Sequence, residues 1–380
     1  MKNKKKIVFL TGTRADFSKL KSLVSITQES KKYEVHLFVT GMHLNPLYGA
    51  TIDEIRKYGF KNIFPFINHG SNYSMDKTLA KTINGFSSFI DDIEPDLIVI
   101  HGDRVETMAG AIVGSLNNIL VAHIEGGEIS GTVDELIRHA VSKLSHIHLV
   151  SNQKAKKRLT QLGERSSSIF ILGSPDLDLM NPKKLPNLSV AKDYYNIDFD
   201  RYAIAIFHPV TTEYKNIKNY IKMFVSALRI SDDNYIIIYP NNDLGSDIIF
   251  QEYKKFNDNP KIKFFPSLRF EYFLSFLKNA DFIIGNSSAG IREAPYYDTP
   301  TVNIGSRQNN RSNHNSIINT ENESDSILEG IKLAKKYRRA PLHYSEFGNG
   351  NSDKIFLDLL NDESIWNTDC QKQFQDIDYE

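Results

Sequence analysis

The apolar positions of this chain recur with two spacings that alternate along the sequence. Short continuous apolar runs, typical of strands buried on both faces, alternate with stretches in which apolar residues recur with the spacing of an amphipathic helix. In the first half, the runs predict strands at 7–10, 35–39, 97–100, 119–124, 147–150 and 169–172. The intervening stretches predict helices, one ending near residue 30 and others at 50–59, 75–92, 132–144 and 153–162. Strands that alternate with helices indicate a doubly wound parallel sheet.

The same pattern restarts after a linker at 173–189, which contains Pro175, Pro182 and Pro186 and shows little periodicity. In the second half, further strands are predicted at 202–207, 235–239, 282–284 and 301–304. The sequence therefore predicts two Rossmann-like α/β domains, at 1–174 and 175–360. A tail at 361–380 is expected to pack back on the first domain.

Composition narrows the choice of partners. The hydrophobic fraction is 41%, which is enough for packed cores. Lys plus Arg and Asp plus Glu each total 46, so the net charge is zero and gives no electrostatic case for nucleic acid or an acidic membrane. No apolar run approaches the ~20 residues of a membrane span. Cys370 is the single cysteine, a usage that fits a reducing cytoplasm.

Neither a bound metal nor another cofactor is expected. His139, His146 and His148 lie close in sequence, but they lack the spacing of a known metal motif. The GxGxxG fingerprint of dinucleotide-binding folds is also absent, which disfavours an NAD-dependent epimerase.

Three acids follow strands or open a helix. Asp103 and Glu125 come directly after predicted strands, and Asp134 lies in the first turn of the helix that Thr132 opens. Ligands of open α/β sheets bind beyond the carboxyl ends of the strands, so the three carboxylates are expected to converge there. The alternative for each is local: an Asp after a strand is often a turn residue, and an acid in a first turn complements the helix dipole. The apolar face of this helix is predicted to comprise Val133, Leu136, Ile137, Ala140, Val141 and Leu144.

Two strand-to-helix turns have the features of anion sites. After the first strand, a glycine turn leads into a helix, and Arg14 and Lys19 would add positive charge for a phosphate. After the strand at 282–284, the hydroxyls of Ser287 and Ser288 precede a predicted helix start suited to a diphosphate, and Glu293 is placed to reach a ribose diol. Either turn can also be read as an ordinary helix cap.

Together the motifs identify a family. The chain resembles the hydrolysing UDP-N-acetylglucosamine 2-epimerases, and within them the branch that feeds sialic acid synthesis. The resemblance covers nearly the whole chain and rests on TGTRADFSKL, VIHGDRVETMAG, HIEGGEISGTVDELIRHAVSKLSHIHL, GSPDLD, FHPVTTE, YPNND, GNSSAGIREA and IGSRQ. It implies the GT-B fold, in which two Rossmann-like domains face a cleft. It also implies the conversion of UDP-N-acetylglucosamine and water to UDP and N-acetylmannosamine.

The resemblance assigns roles residue by residue. It implies that Asp103, Glu125 and Asp134 are the acid/base carboxylates and that His208 is the catalytic histidine. The positions it implies for nucleotide contacts are Arg14, Ser18, Arg104, Asn242, Phe273, Ser287, Ser288, Glu293 and Arg307, with Lys19 in the same motif as Arg14. Read without the resemblance, His208 can be a turn residue and Phe273 a core residue. A UDP-sugar is the expected ligand, and a homodimer or homotetramer is the expected assembly.

Three other functions fit parts of the pattern. The same chemistry on another nucleotide 2-acetamido sugar, such as UDP-N,N'-diacetylbacillosamine, uses the same residues. A GT-B glycosyltransferase shares the fold and the UDP site but does not need three acids. An inactive nucleotide-sugar binding module is disfavoured because Asp103, Glu125, Asp134 and His208 are all intact.

Overall fold

The structure is a computed structural model that describes residues 4–69, 74–130, 132–180, 182–183, 185–257, 259–308, 311–340, 347–373 and 375–376. It contains two parallel sheets, as the alternating pattern predicts. The first has seven strands in the order β3-β2-β1-β4-β5-β6-β7. These strands are β1 (Lys5–Thr11), β2 (Tyr33–Val39), β3 (Asn62–Pro65), β4 (Leu97–His101), β5 (Leu120–Ile124), β6 (Ile147–Val150) and β7 (Ile169–Ile171).

Helices connect these strands along the chain. They are α1 (Arg14–Glu29), α2 (Ile52–Lys57), α3 (Met75–Ile93), α4 (Val105–Leu116), α5 (Val133–Leu144) and α6 (Gln153–Gln161). The core lies between the sheet and the buried faces of the helices, with Phe9 and Val99 from the sheet packed among α1 residues such as Leu20. One predicted core position is wrong. Leu136 on α5 is 66% exposed, and the buried face of that helix is formed by residues including Ile137 and Val141.

The second sheet has six parallel strands in the order β10-β9-β8-β11-β12-β13. They are β8 (Ala203–Ile206), β9 (Tyr235–Ile238), β10 (Ile262–Phe265), β11 (Ile283–Gly285), β12 (Thr301–Ile304) and β13 (Ile317–Thr320). The helices of this half are α7 (Leu188–Tyr195), α8 (Ile217–Ser231), α9 (Ser246–Tyr253), α10 (Phe270–Asn279), α11 (Glu293–Tyr296) and α12 (Ser324–Lys336). The chain then forms α13 (Ser352–Asn361) and α14 (Glu363–Trp366). The predicted fold class, two parallel-sheet α/β domains, is confirmed.

Tertiary contacts divide the chain at other points than the sequence predicts. The first unit comprises the described residues up to 128, within 134–181 and from 347 onward, and the second comprises those within 129–133 and 182–345. The predicted boundaries followed residues 174 and 360. The difference arises because Asp178 accepts hydrogen bonds from the backbone N–H groups of Ser352 and Asp353, at 2.8 and 3.0 Å. These bonds tie α13 to the first unit.

The strand order of the first sheet shows where its ligands are expected. β1 lies between β2 and β4, so the chain leaves β1 on one side and returns on the other. At such a switch point the loops after the two strands separate and leave a crevice. The loops in question begin at Gly12, after β1, and at Gly102, after β4. None of the helices in the described ranges is long and apolar enough to cross a membrane.

Candidate active site

A buried polar network holds the loop after β1. Asp16 accepts hydrogen bonds from the backbone N–H groups of Gly12 and Thr13, at 2.9 and 3.1 Å, and its own N–H is capped by the Thr13 hydroxyl. The Thr11 hydroxyl contacts Asp16 and lies 3.0 Å from Nε2 of His43. Burial raises the pKa of Asp16 and lowers the pKa of His43 to about 3, so His43 is neutral at pH 7. The hydrogen bonds of Asp16 and Thr13 hold the backbone of this loop in place.

Two residues at the start of α1 that the sequence predicts to contact the nucleotide, Arg14 and Ser18, have partners within the first unit. The Arg14 guanidinium is paired with the Glu54 carboxylate. The Ser18 hydroxyl donates to the carbonyl of Ala15 at 2.7 Å. An anion bound at this turn would therefore share Arg14 with Glu54.

Asp103, on the loop after β4, is held by an arginine from α5. Nη2 of Arg138 donates to Oδ2 of Asp103, and Nη1 donates to the carbonyl of Glu128 at 3.2 Å. Arg138 is buried and lies one helical turn beyond Asp134. The arginine that holds Asp103 therefore lies on the same helix face as Asp134. Arg104, the next residue, has Nε 3.4 Å from Oε2 of the buried Glu106.

Glu125 follows β5, the strand paired with β4 through His101 and Ile124. Its φ of +63° lies in the left-handed region, an uncommon conformation for a residue with a side chain. Oε2 is 2.9 Å from Nε2 of His101, and Oε1 accepts a hydrogen bond from the Ser174 hydroxyl. The carboxylate is buried and held at both oxygens, so its orientation is defined.

Lys19 is placed differently from the sequence expectation of a phosphate contact. Its ammonium is buried, in direct contact with Asp176 and 3.6 Å from Oε1 of Glu125. Lys19 therefore lies beside Glu125, one of the carboxylates that the sequence predicts to be catalytic.

His123, close to these acids, has both ring nitrogens in contact with groups of the surrounding framework. Nε2 of His123 lies 2.8 Å from the carbonyl of Gly102, and Nδ1 lies 3.1 Å from the Ser142 hydroxyl. Burial lowers the pKa of His123 to about 3. Within the described ranges, no group of three His, Cys, Asp or Glu residues is arranged to hold a metal ion.

In the second unit, His208 is held by two asparagines. Nδ1 accepts a hydrogen bond from the backbone N–H of Asn241 at 3.0 Å, which assigns the proton of the neutral ring to Nε2. Asn286 accepts from the backbone N–H of His208 at 2.7 Å and donates to its carbonyl at 2.8 Å. His208 is thereby presented with an N–H donor at Nε2.

The predicted helix after Gly290 is not a regular one. Instead, Ser288–Gly290 forms a 3₁₀ turn, and α11 is a helix of four residues. Pro295 within α11 has no N–H to continue the hydrogen-bonding ladder. The anion site proposed from the sequence therefore lies at a short turn and not at the N-terminus of a long helix. Its bounding residues are Ser287, whose hydroxyl accepts from the N–H of Ala289 at 3.3 Å, and Ser288.

The remaining predicted nucleotide positions lie around this turn or elsewhere in the second unit. Nη1 of Arg307 donates to the carbonyl of Asn286 at 3.1 Å, which ties the loop after β12 to the turn after β11. Asn242 lies in the loop after β9, next to the residue that orients His208. Glu293 opens α11 and is buried, and Phe273 is buried on α10, so burial fits the core interpretation of Phe273.

Sequence reasoning missed four side chains around the carboxylates: His101, Arg138, Ser174 and Asp176. The sequence does indicate that Arg138 lies near these acids, because it follows Asp134 by four residues and so shares its helix face. Ser174 and Asp176 belong to the GSPDLD motif, but nothing in the linear pattern shows that they reach Glu125 and Lys19.

Comparison with known proteins gives consistent matches. The sequence profile of the family described as UDP-N-acetylglucosamine 2-epimerase matches residues 26–361. The UDP-N-acetylglucosamine 2-epimerase of Neisseria meningitidis serogroup B is 46% identical over 376 residues, covering 98% of this chain and 99% of the relative. The hydrolyzing UDP-N,N'-diacetylbacillosamine 2-epimerase of Legionella pneumophila is 35% identical, covering 94% and 95%. Polysialic acid biosynthesis protein P7 of Escherichia coli is 34% identical, covering 87% and 86%.

The fold is also that of solved structures. The UDP-GlcNAc 2-epimerase of Methanocaldococcus jannaschii, crystallised with UDP-GlcNAc and UDP, superposes with a TM-score of 0.78. The match covers 94% of this chain and 99% of that chain at 20% identity. At that identity the likeness shows the fold.

Proposed function

The chain belongs to the UDP-N-acetylglucosamine 2-epimerase family, and we propose that it converts UDP-N-acetylglucosamine and water to UDP and N-acetylmannosamine. The similarity to an E. coli polysialic acid biosynthesis protein supports a role in sialic acid synthesis.

The main observation behind the proposal is that hydrogen bonds hold two carboxylates in place at the ends of adjacent strands. Asp103, after β4, is held by Arg138, and Glu125, after β5, is held by His101 and Ser174. A sugar-nucleotide binding module has no need of oriented acids. Proton transfer does need them, because a general acid or base works only from a defined position.

The chemistry explains why more than one acid is required. The C2 hydrogen of the sugar is not adjacent to a carbonyl, so direct deprotonation is too slow. Cleavage of the C1–O bond builds positive charge on the ring and acidifies C2–H. A carboxylate then takes that proton, and the products are UDP and a 2-acetamidoglucal. Water adds its hydroxyl to C1 while a second acid returns a proton to the opposite face of C2, which gives N-acetylmannosamine.

The second unit is proposed to recognise the nucleotide. The N–H at Nε2 of His208 is suited to stabilise a departing diphosphate, and Arg307, Ser287 and Ser288 supply further donors around one turn. Within this proposal Arg14, Ser18, Arg104, Asn242, Phe273 and Glu293 complete the nucleotide contacts.

The test is incubation of the purified protein with UDP-N-acetylglucosamine and no acceptor. We expect stoichiometric release of UDP and N-acetylmannosamine, resolved by NMR. Accumulation of UDP-N-acetylmannosamine would instead indicate non-hydrolysing epimerisation, and turnover only with an added acceptor would indicate a glycosyltransferase.

A second substrate has specific support. The L. pneumophila relative, named for UDP-N,N'-diacetylbacillosamine, is 35% identical over 361 residues. The same reaction on that sugar needs the same acids. Parallel measurements of kcat/KM with both nucleotide sugars decide between them, and the preferred substrate is the one with the larger value.

Assembly and location complete the proposal. We propose that the enzyme works as a homodimer or homotetramer in the cytoplasm, where its single cysteine remains a thiol. Light scattering after size-exclusion chromatography measures the assembly, and a monomer at working concentration would contradict it.

A further inference from the structure

Four side chains from separate parts of the first unit, three of them buried, form a cluster around Glu125. Lys19 comes from α1, His101 from the end of β4, and Ser174 and Asp176 from the segment after β7. The side chains of Lys19, Glu125 and Asp176 are only 10%, 5% and 2% exposed. Burial of charged groups is costly unless they are paired, so the pairing within this cluster has large electrostatic consequences.

The ammonium of Lys19 is not shared equally between Asp176 and Glu125. Lys19 has two carboxylates within reach, but its ammonium is in direct contact with Asp176 and lies 3.6 Å from Glu125. Ser174 lies between Lys19 and Glu125, since its oxygen is 3.5 Å from the ammonium and its hydroxyl donates to Oε1 of Glu125. The backbone N–H of Ser174 donates to the carbonyl of Phe347 at 2.6 Å, which fixes its position.

We propose that Asp176 is a positioning residue for the reaction: by holding the ammonium of Lys19, it leaves Glu125 able to exchange a proton with His101 and the substrate. This inference rests on the proposed function, because it concerns how one of the proposed acids is kept fit for proton transfer. It also gives Lys19 a role in the electrostatics of Glu125.

The physical reason lies in the competition for one ammonium. If Asp176 were uncharged, Glu125 would become the anion available to Lys19 at 3.6 Å. A cation within ~4–6 Å favours the ionised carboxylate, and Glu125 would then give up its proton more readily and take one back less readily. Other ionisable groups that face Glu125 include His101 and the neighbouring His123, with Asp16 acting on His101.

Ser174 should have the opposite effect. Its hydroxyl donates to the Glu125 carboxylate and so stabilises the ionised form. Loss of that hydroxyl should make the carboxylate more basic. Two substitutions at neighbouring positions of one motif are therefore expected to move the proton affinity of Glu125 in opposite directions, which a general loss of packing would not do.

The experiment compares pH profiles of kcat for wild type, Asp176→Asn and Ser174→Ala with UDP-N-acetylglucosamine. We expect Asp176→Asn to move the profile about one pH unit lower, with a roughly tenfold loss of kcat at neutral pH, because a nearby cation shifts a carboxyl by at least that much. Ser174→Ala should move it higher. Asp176→Glu, which restores the charge, should return the profile toward that of wild type.

Asp178→Asn is the matched control. Asp178 is a half-buried acid of the same motif, but it binds the backbone of α13 and the hydroxyl of Ser22 rather than Lys19. Its substitution should lower thermal stability and leave the pH profile in place. The inference would be overturned if the pH profiles of Asp176→Asn and Asp178→Asn moved by the same amount. It would also be overturned if the Asp176→Asn profile were identical to that of wild type.

A second readout is independent of turnover. The carbon-13 signal of the Glu125 carboxyl, assigned with Glu125→Gln, reports its titration in the protein without substrate. We expect a lower midpoint in Asp176→Asn and a higher one in Ser174→Ala, and unchanged midpoints in both would overturn the inference. A wild-type protein that leaves UDP-N-acetylglucosamine intact would count against the proposed function, whereas this titration would still test Asp176.

Discussion

The guanidinium of Arg138 donates a hydrogen bond to the carboxylate of Asp103, although the two residues are separated by 35 positions in the chain. The bond joins the loop after β4 to the helix that carries Asp134. One buried arginine therefore orients one proposed acid directly and lies on the same helix face as another.

Substitution of Arg138 should impair chemistry. Arg138→Gln removes the cation beside Asp103, and a hydrogen bond between charged groups contributes ~1.5–3 kcal/mol, so kcat should fall by about 10- to 100-fold. Arg138→Lys should be impaired as well, because a lysine cannot bridge Asp103 and the Glu128 carbonyl with one planar fork. Steady-state kinetics with UDP-N-acetylglucosamine measures both.

Arg158→Gln is the control for Arg138. Arg158 donates to the carbonyl of Gly127 at 3.2 Å, next to the carbonyl that Arg138 binds. Its loss disturbs the same loop but leaves the Arg138–Asp103 bond, so kcat should stay close to that of wild type. Equal losses in the two variants would show that the loop, and not the bond to Asp103, determines turnover.

Substitutions at the proposed nucleotide site should weaken UDP binding, whereas substitution of a proposed acid should reduce turnover. Ser288→Ala and Arg307→Ala each remove a proposed donor to the nucleotide, at a cost of ~1.5–3 kcal/mol, so the Kd for UDP should rise about 10- to 100-fold. Asp103→Asn should bind UDP nearly as wild type does and lose turnover. Calorimetric titration with UDP measures the affinities. Tight binding by Arg307→Ala combined with weak binding by Asp103→Asn would reverse the assignment.

Isotopes should report the elimination and hydration steps. In D₂O the N-acetylmannosamine product should carry deuterium at C2, since the original hydrogen leaves and is replaced from an acid that exchanges with solvent. In ¹⁸O water no label should enter UDP, because the C1–O bond breaks rather than a P–O bond. NMR and mass spectrometry of early product measure both labels. Retention of the original C2 hydrogen, or ¹⁸O in UDP, would contradict the mechanism.

Stability should fall as the pH drops from neutral. Burial lowers the pKa values of His43 and His123 from 6.5 to about 3 in the folded state. Between those limits the unfolded chain binds a proton at each histidine that the folded protein does not bind. Each residue should therefore reduce the free energy of unfolding by up to ~1.4 kcal/mol per pH unit below pH 6.5, and the effect should end near pH 3.

Urea unfolding at a series of pH values between 7.5 and 4 measures this slope. Replacement of one buried histidine by Gln, which cannot titrate, should make the slope shallower even where it lowers overall stability. Because burial raises the pKa values of Asp16 and Asp178, which contribute the opposite slope, the decisive comparison is with the Gln variants: a slope that neither substitution changes would show that the two rings are not kept neutral by folding.

The linear sequence predicted the fold through its buried strands. Central strands are covered on both faces and appear as continuous apolar runs, so the predicted strands at 147–150 and 301–304 agree with β6 and β12. The edge strands β3, β10 and β13 were missed, because an edge strand is partly exposed and its residues need not be apolar. The boundary predicted at residue 360 falls within α13, because the contact of this helix with Asp178 joins segments far apart in the chain.

For the candidate site, the sequence by itself determined which residues are candidates for catalysis and binding, because acids after strands and hydroxyls at turns can be recognised from local context. The partners of those residues were decided only by tertiary structure. Lys19 has the same local pattern whether it binds a phosphate or Asp176, and Arg14 whether it is solvated or paired with Glu54. Charge pairing depends on distances of a few ångströms between segments that folding brings together. The pattern of apolar and polar residues along the sequence does not predict such distances.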